Sequence, residues 1–401
     1  MRPLSDGDFQ GALPGALRAV EALDSDGDGV ANLAEVQKGT LPGDASSLPR
    51  DVPCGAGGNP TYSVCKYDRR YAVKKLVVDV CGGSPSYADL EVFSALSPAA
   101  QEARIDEVLD LCMATEYWRG KNGQVWQLGH RKVRPVGTLK GGPEETGIVQ
   151  LGDYYDDYAL FAYSQLDDHD AREVLTADFF VTRSLTPLTT YSKSYLIPFQ
   201  AVDLPHRSGN LTTAWALAYF TMFTALPRNA AAQAYRGYLG LDIAKQEGMY
   251  PVPNEPKDYD AKGVTQPLCT QCHATLDPLS YPFRNYNGIT GSDQQVLRFI
   301  PNRIETFFGD QAPAISQIPE EGYIFGQKVN GLKEWAQVAA NSDAFAVATV
   351  GDYWRFLMGA PPTPEQNAEF VGLWQRFKTT NGYSVRKMLH ELIKTEAYGA
   401  P

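Results

Sequence analysis

The chain has 401 residues, 43% of them hydrophobic, and a formal net charge of −11. That length predicts two to four units, and the apolar share belongs to a globular protein rather than a disordered one. The acidic balance argues against nucleic acid and anionic membrane surfaces as partners, and no run approaches the ~20 apolar residues of a membrane span.

The N-terminus, MRPLSDGDFQGALPGAL, lacks a charged start followed by an apolar run, so it does not read as a signal peptide. The first motif is Asp24-Ser25-Asp26-Gly27-Asp28-Gly29-Val30-Ala31-Asn32-Leu33-Ala34-Glu35. It matches the twelve-residue calcium loop position by position. Asp24, Asp26 and Asp28 supply carboxylates at positions 1, 3 and 5, and Gly29 permits the turn at 6. Val30 offers its carbonyl at 7, Asn32 stands at 9, and Glu35 can bind through both oxygens at 12. Hard Ca²⁺ suits such a flexible oxygen cage better than Mg²⁺ does. The alternative is an acidic turn without metal. The loop and the following Gly39-Thr40-Leu41-Pro42 resemble the calcium repeats of secreted bacterial proteins. A single loop fits a structural clamp better than a calcium switch.

Residues from about 43 to 60 are rich in Gly, Pro and Ser and read as a linker. Cys54, Cys65, Cys81 and Cys112 follow, an even number that suggests two disulfides in an oxidising compartment. Three pairings are open. Cys54–Cys65, closing a short loop, and Cys81–Cys112, joining two helical segments, are favoured over four free thiols. Ser97-Pro98 reads as an N-cap with proline at the first helical position. Ile105, Val108, Leu109 and Cys112 then recur on one helical face.

The stretch 150–190 mixes acids with Tyr154, Tyr155 and Tyr158 and reads as a solvated helix face over packed tyrosines. A docking surface or second cation site is the alternative. An apolar helix is expected over 211–225, with Trp215, Tyr219, Met222 and Phe223 on one face. Pro251 to Pro256 must be extended, because proline disfavours helix in itself and its predecessor.

Cys269-Thr270-Gln271-Cys272-His273 is the most specific signal in the chain. A C-x-x-C-H lets two thiols form thioethers to one porphyrin and presents the histidine to its iron. A thioredoxin-like pair would want a βαβ setting, and a zinc site would want further ligands that the sequence does not supply. Cys269 and Cys272 are therefore the expected attachment points of one haem c, with His273 as axial ligand. A carbonyl in the turn near Asp277-Pro278 is the expected acceptor for its other nitrogen. Pro278, Phe283 and Tyr286 are expected to wall the haem, ordinary core packing being the alternative. For the sixth ligand Met222 is preferred, with Met249, Met358 and His206 kept open. Met388 lies in a core stripe, and His130, His169 and His390 read as core or surface histidines.

The last hundred residues read as helical. Thr363-Pro364-Glu365-Gln366 is a capping box, followed by Phe370, Leu373, Trp374 and Phe377 at helical spacing. Val385, Met388, Leu389 and Leu392 repeat the pattern.

The block from Cys269 to Gly288, with its Asp277-Pro278 pair and the Phe283-Arg-Asn-Tyr286 run, resembles the haem segment of large secreted bacterial c-type cytochromes. Tyr71-Ala-Val-Lys-Lys-Leu-Val-Val-Asp-Val is similar to their N-terminal helix. Tyr353-Trp354-Arg355-Phe356-Leu357-Met358-Gly359 is similar to their C-terminal helical pair. The resemblance spans roughly residues 60–400, and only the haem block is specific. It implies helical structure, export and redox work, but no particular reaction; the N-terminal cysteines depart from its pattern.

The resulting expectation is a mostly α, multi-unit protein. A calcium segment spans 1–45, a disulfide-bonded helical unit 46–190, a haem unit 191–300 and a helical unit 301–401. The favoured function is an exported mono-haem electron carrier of the periplasm, outer-membrane surface or medium, serving redox partner proteins. Haem attachment of this type needs export, which implies a leader removed or lying outside this sequence. A peroxidase- or oxygenase-type enzyme with an open distal site is one alternative. A filament-forming surface subunit, and hence a homo-oligomer, is the other.

Overall fold

The computed structural model describes residues 6–27, 29–38, 41–43, 67–121, 123–133, 155–196, 202–292 and 294–400. The protein is mostly α-helical, with two short antiparallel hairpins among the described residues, Phe180–Ser184 with Thr190–Ser194 and Glu321–Ile324 with Gln327–Asn330. Asp28, Cys54, Cys65 and Tyr154, and the side chain of His130, lie outside the described residues.

A helix Asp6–Val20, a loop and a helix Asn32–Lys38 open the chain. Next come Arg69–Cys81 and Pro98–Met113, joined at their ends by a disulfide between Cys81 and Cys112, with the two Cα atoms 4.6 Å apart. The second helix begins where Ser97-Pro98 predicts: the Ser97 hydroxyl accepts from the Ala100 N–H at 3.4 Å. Its stripe buries Ile105, Leu109 and Cys112, as the spacing requires.

The chain's end returns to this pair. Asp68 N–H donates to the Gly399 carbonyl (3.0 Å), and the Tyr67 hydroxyl donates to that of Ile393 (2.7 Å). Trp118 packs against Tyr353 and Phe356. One buried apolar cluster takes in Val73, Phe161, Phe283 and Trp354 together, so the segments 46–190, 191–300 and 301–401 contribute to a common core. Trp118, Trp335 and Trp354 lie fully buried in it; truncating such a ring to alanine costs about 3–5 kcal/mol.

The C-terminal helices follow their sequence signals. Thr363 and Gln366 form the reciprocal capping box, and Asn367–Lys378 buries Phe370, Leu373 and Phe377. Val385–Leu392 buries Val385, Met388, Leu389 and Leu392.

Two elements differ from expectation. The helix Tyr155–Gln165 is not a solvated face: from Asp157 to Gln165 every residue is buried. Its acids misled because Asp157 turns inward, where its backbone carbonyl accepts from the buried Asn210 amide at 3.0 Å. The helix expected over 211–225 is broken into a 3₁₀ turn Gly209–Thr212, a short α-turn Ala214–Ala216 and a π-turn Leu217–Thr221. Met222 N–H bonds to the Leu217 carbonyl (3.1 Å), and the residue takes φ 50, ψ −121, which stops the helix. Met222 and Phe223 are consequently exposed instead of packed on a helical stripe.

Candidate functional site

The Cys-x-x-Cys-His segment forms the first two turns of the helix Pro267–Ser280. Proline at its first position has no N–H to leave unsatisfied. Cys269 and Thr270 N–H both bond back to the Gln266 carbonyl at 2.9 Å. Spacings of three and four residues place Cys269, Cys272 and His273 on one face. Neither thiol is in a disulfide; Cys269 is exposed, and Cys272 is half-buried with its Sγ donating to the Ile243 carbonyl at 3.9 Å.

His273 Nδ1 lies 2.7 Å from Asp277 Oδ1, one helical turn further on. The expected turn near Asp277-Pro278 is absent, because the helix runs on to Ser280 with Pro278 inside it. The acceptor for His273 is therefore a carboxylate rather than a backbone carbonyl. Asp277 is fully buried, and Arg228, the first residue of the helix Arg228–Leu239, grips it twice: Nε to Oδ1 at 2.6 Å and Nη2 to Oδ2 at 2.8 Å. The same guanidinium reaches Asp260, Nη1 to Oδ2 at 2.6 Å and Nη2 to Oδ1 at 3.0 Å. Burial works against the charge of Arg228, but the hydrogen bonds and charges of Asp277 and Asp260 outweigh it and raise its pKa.

The surrounding chain holds this helix from both sides. Val252 N–H donates to the Ala274 carbonyl, and Tyr250 N–H to the Thr275 hydroxyl, each at 3.0 Å. The segment Pro251 to Pro256 is non-helical, as its prolines require, and lies along the motif helix. The Tyr281 hydroxyl donates to Glu255 (2.7 Å); burial and then Glu255 push its pKa upward.

Arg303 is fully buried and ties the block after the motif helix to the segment before Arg228. Its Nε bonds Asn287 and its Nη1 the Ala225 and Arg284 carbonyls, each at 3.0 Å, while Nη2 bonds the Thr224 carbonyl. Burial, and then the neighbouring Arg284 charge, lower its pKa to about 9. Arg303 thus joins the segment that carries Met222 to the block that follows the motif.

The remaining candidates are dispersed. Phe283 packs edge-on against Trp335; Tyr286 packs on Phe299 and donates to the His206 carbonyl at 2.7 Å; Pro278 is buried within its helix. Met249 and Met358 are half-buried against the main core, and Met388 is inside it. His206 stacks on Phe299 with its Nδ1 2.7 Å from Asp203. His169 Nδ1 meets the Tyr163 carbonyl at 2.8 Å, and His390 bridges Asp106 and Asp110 at 2.9 Å each. Three apolar side chains near the motif are exposed: Leu268, beside Cys269, and Met222 and Phe223, shortly before Arg228.

Compared with protein-family models, curated proteins and solved structures, the chain gives no match. The Arg228–Asp260 clamp was missed from the sequence, since Arg228 stands 49 residues before Asp277 with no pattern between them. The His273–Asp277 pair could have been found: a four-residue spacing within a helix brings two side chains together.

In the N-terminal loop, Asp24 accepts from Gly27 N–H (2.7 Å) and Gly29 N–H (2.9 Å). Gly29 has φ 93, the sharp turn expected at position 6. Asn32 begins the second helix and bonds the Val20 carbonyl and the Ser25 hydroxyl (2.7 and 2.8 Å). Glu35, in that helix's first turn, is fully buried. Among the described residues no three or more His, Cys, Asp or Glu are grouped to hold a metal ion. Likewise among them, no helix is long and apolar enough to cross a membrane.

Proposed function

We propose that the chain is an exported c-type cytochrome that carries one haem and passes electrons between redox partner proteins. The observation that carries this is the state of the motif's three donors. Cys269 and Cys272 are both thiols outside any disulfide, on the face that also bears His273. His273 has its Nδ1 held by Asp277, which leaves Nε2 for iron. Cys269 and Cys272 would bind the porphyrin, and His273 its iron; when bound, the haem supplies a reversible one-electron couple. The chain's part is to hold the ring plane of His273 and to exclude water from Asp277. The family reading, a large secreted bacterial c-type cytochrome, rests on the same block.

Calcium belongs to the same proposal as a clamp. Asp24, Asp26, Asp28, Val30, Asn32 and Glu35 would be its ligands, a reading supported by the glycine turn at Gly29 and by the burial of Glu35. Export places both sites in a calcium-containing, oxidising compartment, consistent with the Cys81–Cys112 disulfide.

The enzyme reading has one observation of its own. A carboxylate behind the axial histidine makes it a stronger electron donor than a carbonyl would, which suits peroxide or oxygen chemistry. Low-spin ferric bands unmoved by cyanide or peroxide exclude it; a high-spin spectrum that responds favours it. The deciding experiment for haem itself is acid–organic extraction of the exported protein. Pigment that stays with the polypeptide and adds one haem to its mass supports the proposal, and a colourless product ends it.

A further inference from the structure

We propose that Asp277 is a positioning residue that strengthens His273 as an iron donor, with Arg228 and Asp260 setting how much of its charge reaches the ring. This rests on the haem reading above. A backbone carbonyl is neutral, whereas Asp277 is a carboxylate, and it is fully buried, so water does not compete for it. Hydrogen bonds to a charged acceptor are roughly twice as strong as neutral ones. The bond draws the Nδ1 proton toward Oδ1 and leaves more electron density on the ring. A more basic axial ligand favours ferric over ferrous iron and so lowers the potential.

The same oxygen that meets His273, Oδ1, also accepts from Arg228 Nε, and Oδ2 accepts from Nη2. This fork fixes the plane of the carboxylate and, through it, the rotation of the imidazole. It joins the start of the helix Arg228–Leu239 to the last turn of Pro267–Ser280, so the ring is set by rigid elements and not by a loop. The guanidinium also opposes the pull of Asp277. It is shared with Asp260, however, so one positive charge faces two carboxylates and the cluster retains a negative surplus. When a redox partner protein gives or takes one electron at the iron, no bond in the chain forms or breaks.

The test is a mediated spectroelectrochemical titration of the haem-loaded full chain, wild type beside Asp277→Asn, Asp260→Asn and Arg228→Lys, with circular dichroism to verify folding. Asp277→Asn is isosteric and leaves Arg228 matched one-to-one with Asp260. At fixed ambient potential it should shift the ferrous-to-ferric ratio tenfold or more toward ferrous, ~59 mV for a one-electron couple. Asp260→Asn removes the same charge from the cluster without touching His273 and should shift it less than threefold. Arg228→Lys keeps the opposing charge but loosens the fork that orients the carboxylate, and should shift the ratio toward ferrous. Coloured, folded Asp277→Asn with the wild-type potential overturns the assignment, and so does an equal shift in both aspartate variants, which a distant field would produce. Should Asp277→Asn not accumulate, Arg228→Lys decides by itself: no movement toward ferrous overturns the assignment. A colourless wild type, by contrast, defeats the haem reading and is seen before any potential is measured.

Discussion

Ile289 N–H donates to the Met222 carbonyl at 2.9 Å, and a Cβ placed on the intervening Gly288 would run into that same carbonyl. The chain that follows the Cys-x-x-Cys-His helix is therefore tied to the backbone of the preferred sixth ligand. Only glycine at 288 permits so close an approach. Met222 stands at the end of a π-turn, a feature frequent at functional positions, with its side chain exposed and its backbone fixed.

Met222→Leu tests the consequence. The side chain is exposed and makes no core contact that leucine would lose, so stability should change by about 0.5 kcal/mol or less. Covalent pigment should be retained, while the near-infrared sulfur-to-iron band should disappear and the potential fall. If the band persists in Met222→Leu, Met249 or Met358 takes its place as the candidate.

Glu35→Ala should abolish the calcium dependence of stability. A ligand at a hundred times its dissociation constant adds about 2.7 kcal/mol to the folded state. Thermal melts of the wild type with calcium and with chelator should differ accordingly, and those of Glu35→Ala should coincide. The visible spectrum should be the same in both proteins, because the N-terminal loop and the motif helix are separate in the chain and share no described hydrogen bond. Equal calcium responses in wild type and variant would refute the clamp.

The parts of this fold that were legible in sequence are those decided locally. Ser97-Pro98, the Thr363 capping box and the stripe ending in Leu392 each concern neighbours within a few turns, and each stands where the spacing puts it. Met222 was misplaced because a π-turn has no distinguishing composition; only the packing against Gly288 and Ile289 selects it. The helix at Tyr155 departs from its acidic pattern because Asp157 is enclosed, its carbonyl meeting the Asn210 amide from a distant segment. Of the site itself, the thiols and His273 were evident from spacing alone. Asp277 was noticed, but for its backbone, and Arg228, Asp260 and Arg303 act across separations that carry no periodic signal.

Breaking the Cys81–Cys112 bond should be costly. It closes a loop of 31 residues between two helices whose ends are buried together, and loss of a native disulfide typically removes about 2–5 kcal/mol. Cys112→Ala, whose side chain is fully buried, should lower the urea midpoint. Reductant should lower the wild-type midpoint toward the variant's and leave the variant itself unmoved. An unchanged wild-type midpoint in reductant would show that the cross-link contributes little to stability.

The contact between the helices Pro98–Met113 and Val385–Leu392 predicts a pH response. His390 sits between Asp106 and Asp110, with Arg386 and Lys394 bonded to the same two carboxylates. Burial disfavours its charged form, but the hydrogen bonds and charges of Asp106 and Asp110 outweigh that and raise its pKa above the ordinary value. A group whose pKa is higher folded than unfolded stabilises fully below the unfolded value, ~6.5 for histidine, and loses that contribution as pH rises through the folded one. The carboxylates behave oppositely. Burial opposes the charge of Asp106, and for Asp110 the Arg386 hydrogen bond is the leading effect; both pKa values are lowered, so their contribution is present above ~3.9 and fails in acid. Urea unfolding of wild type and His390→Gln should therefore show the largest gap near pH 6, narrowing steadily toward pH 9. A gap constant across that range would mean that the ring's proton takes no part in holding the two helices together.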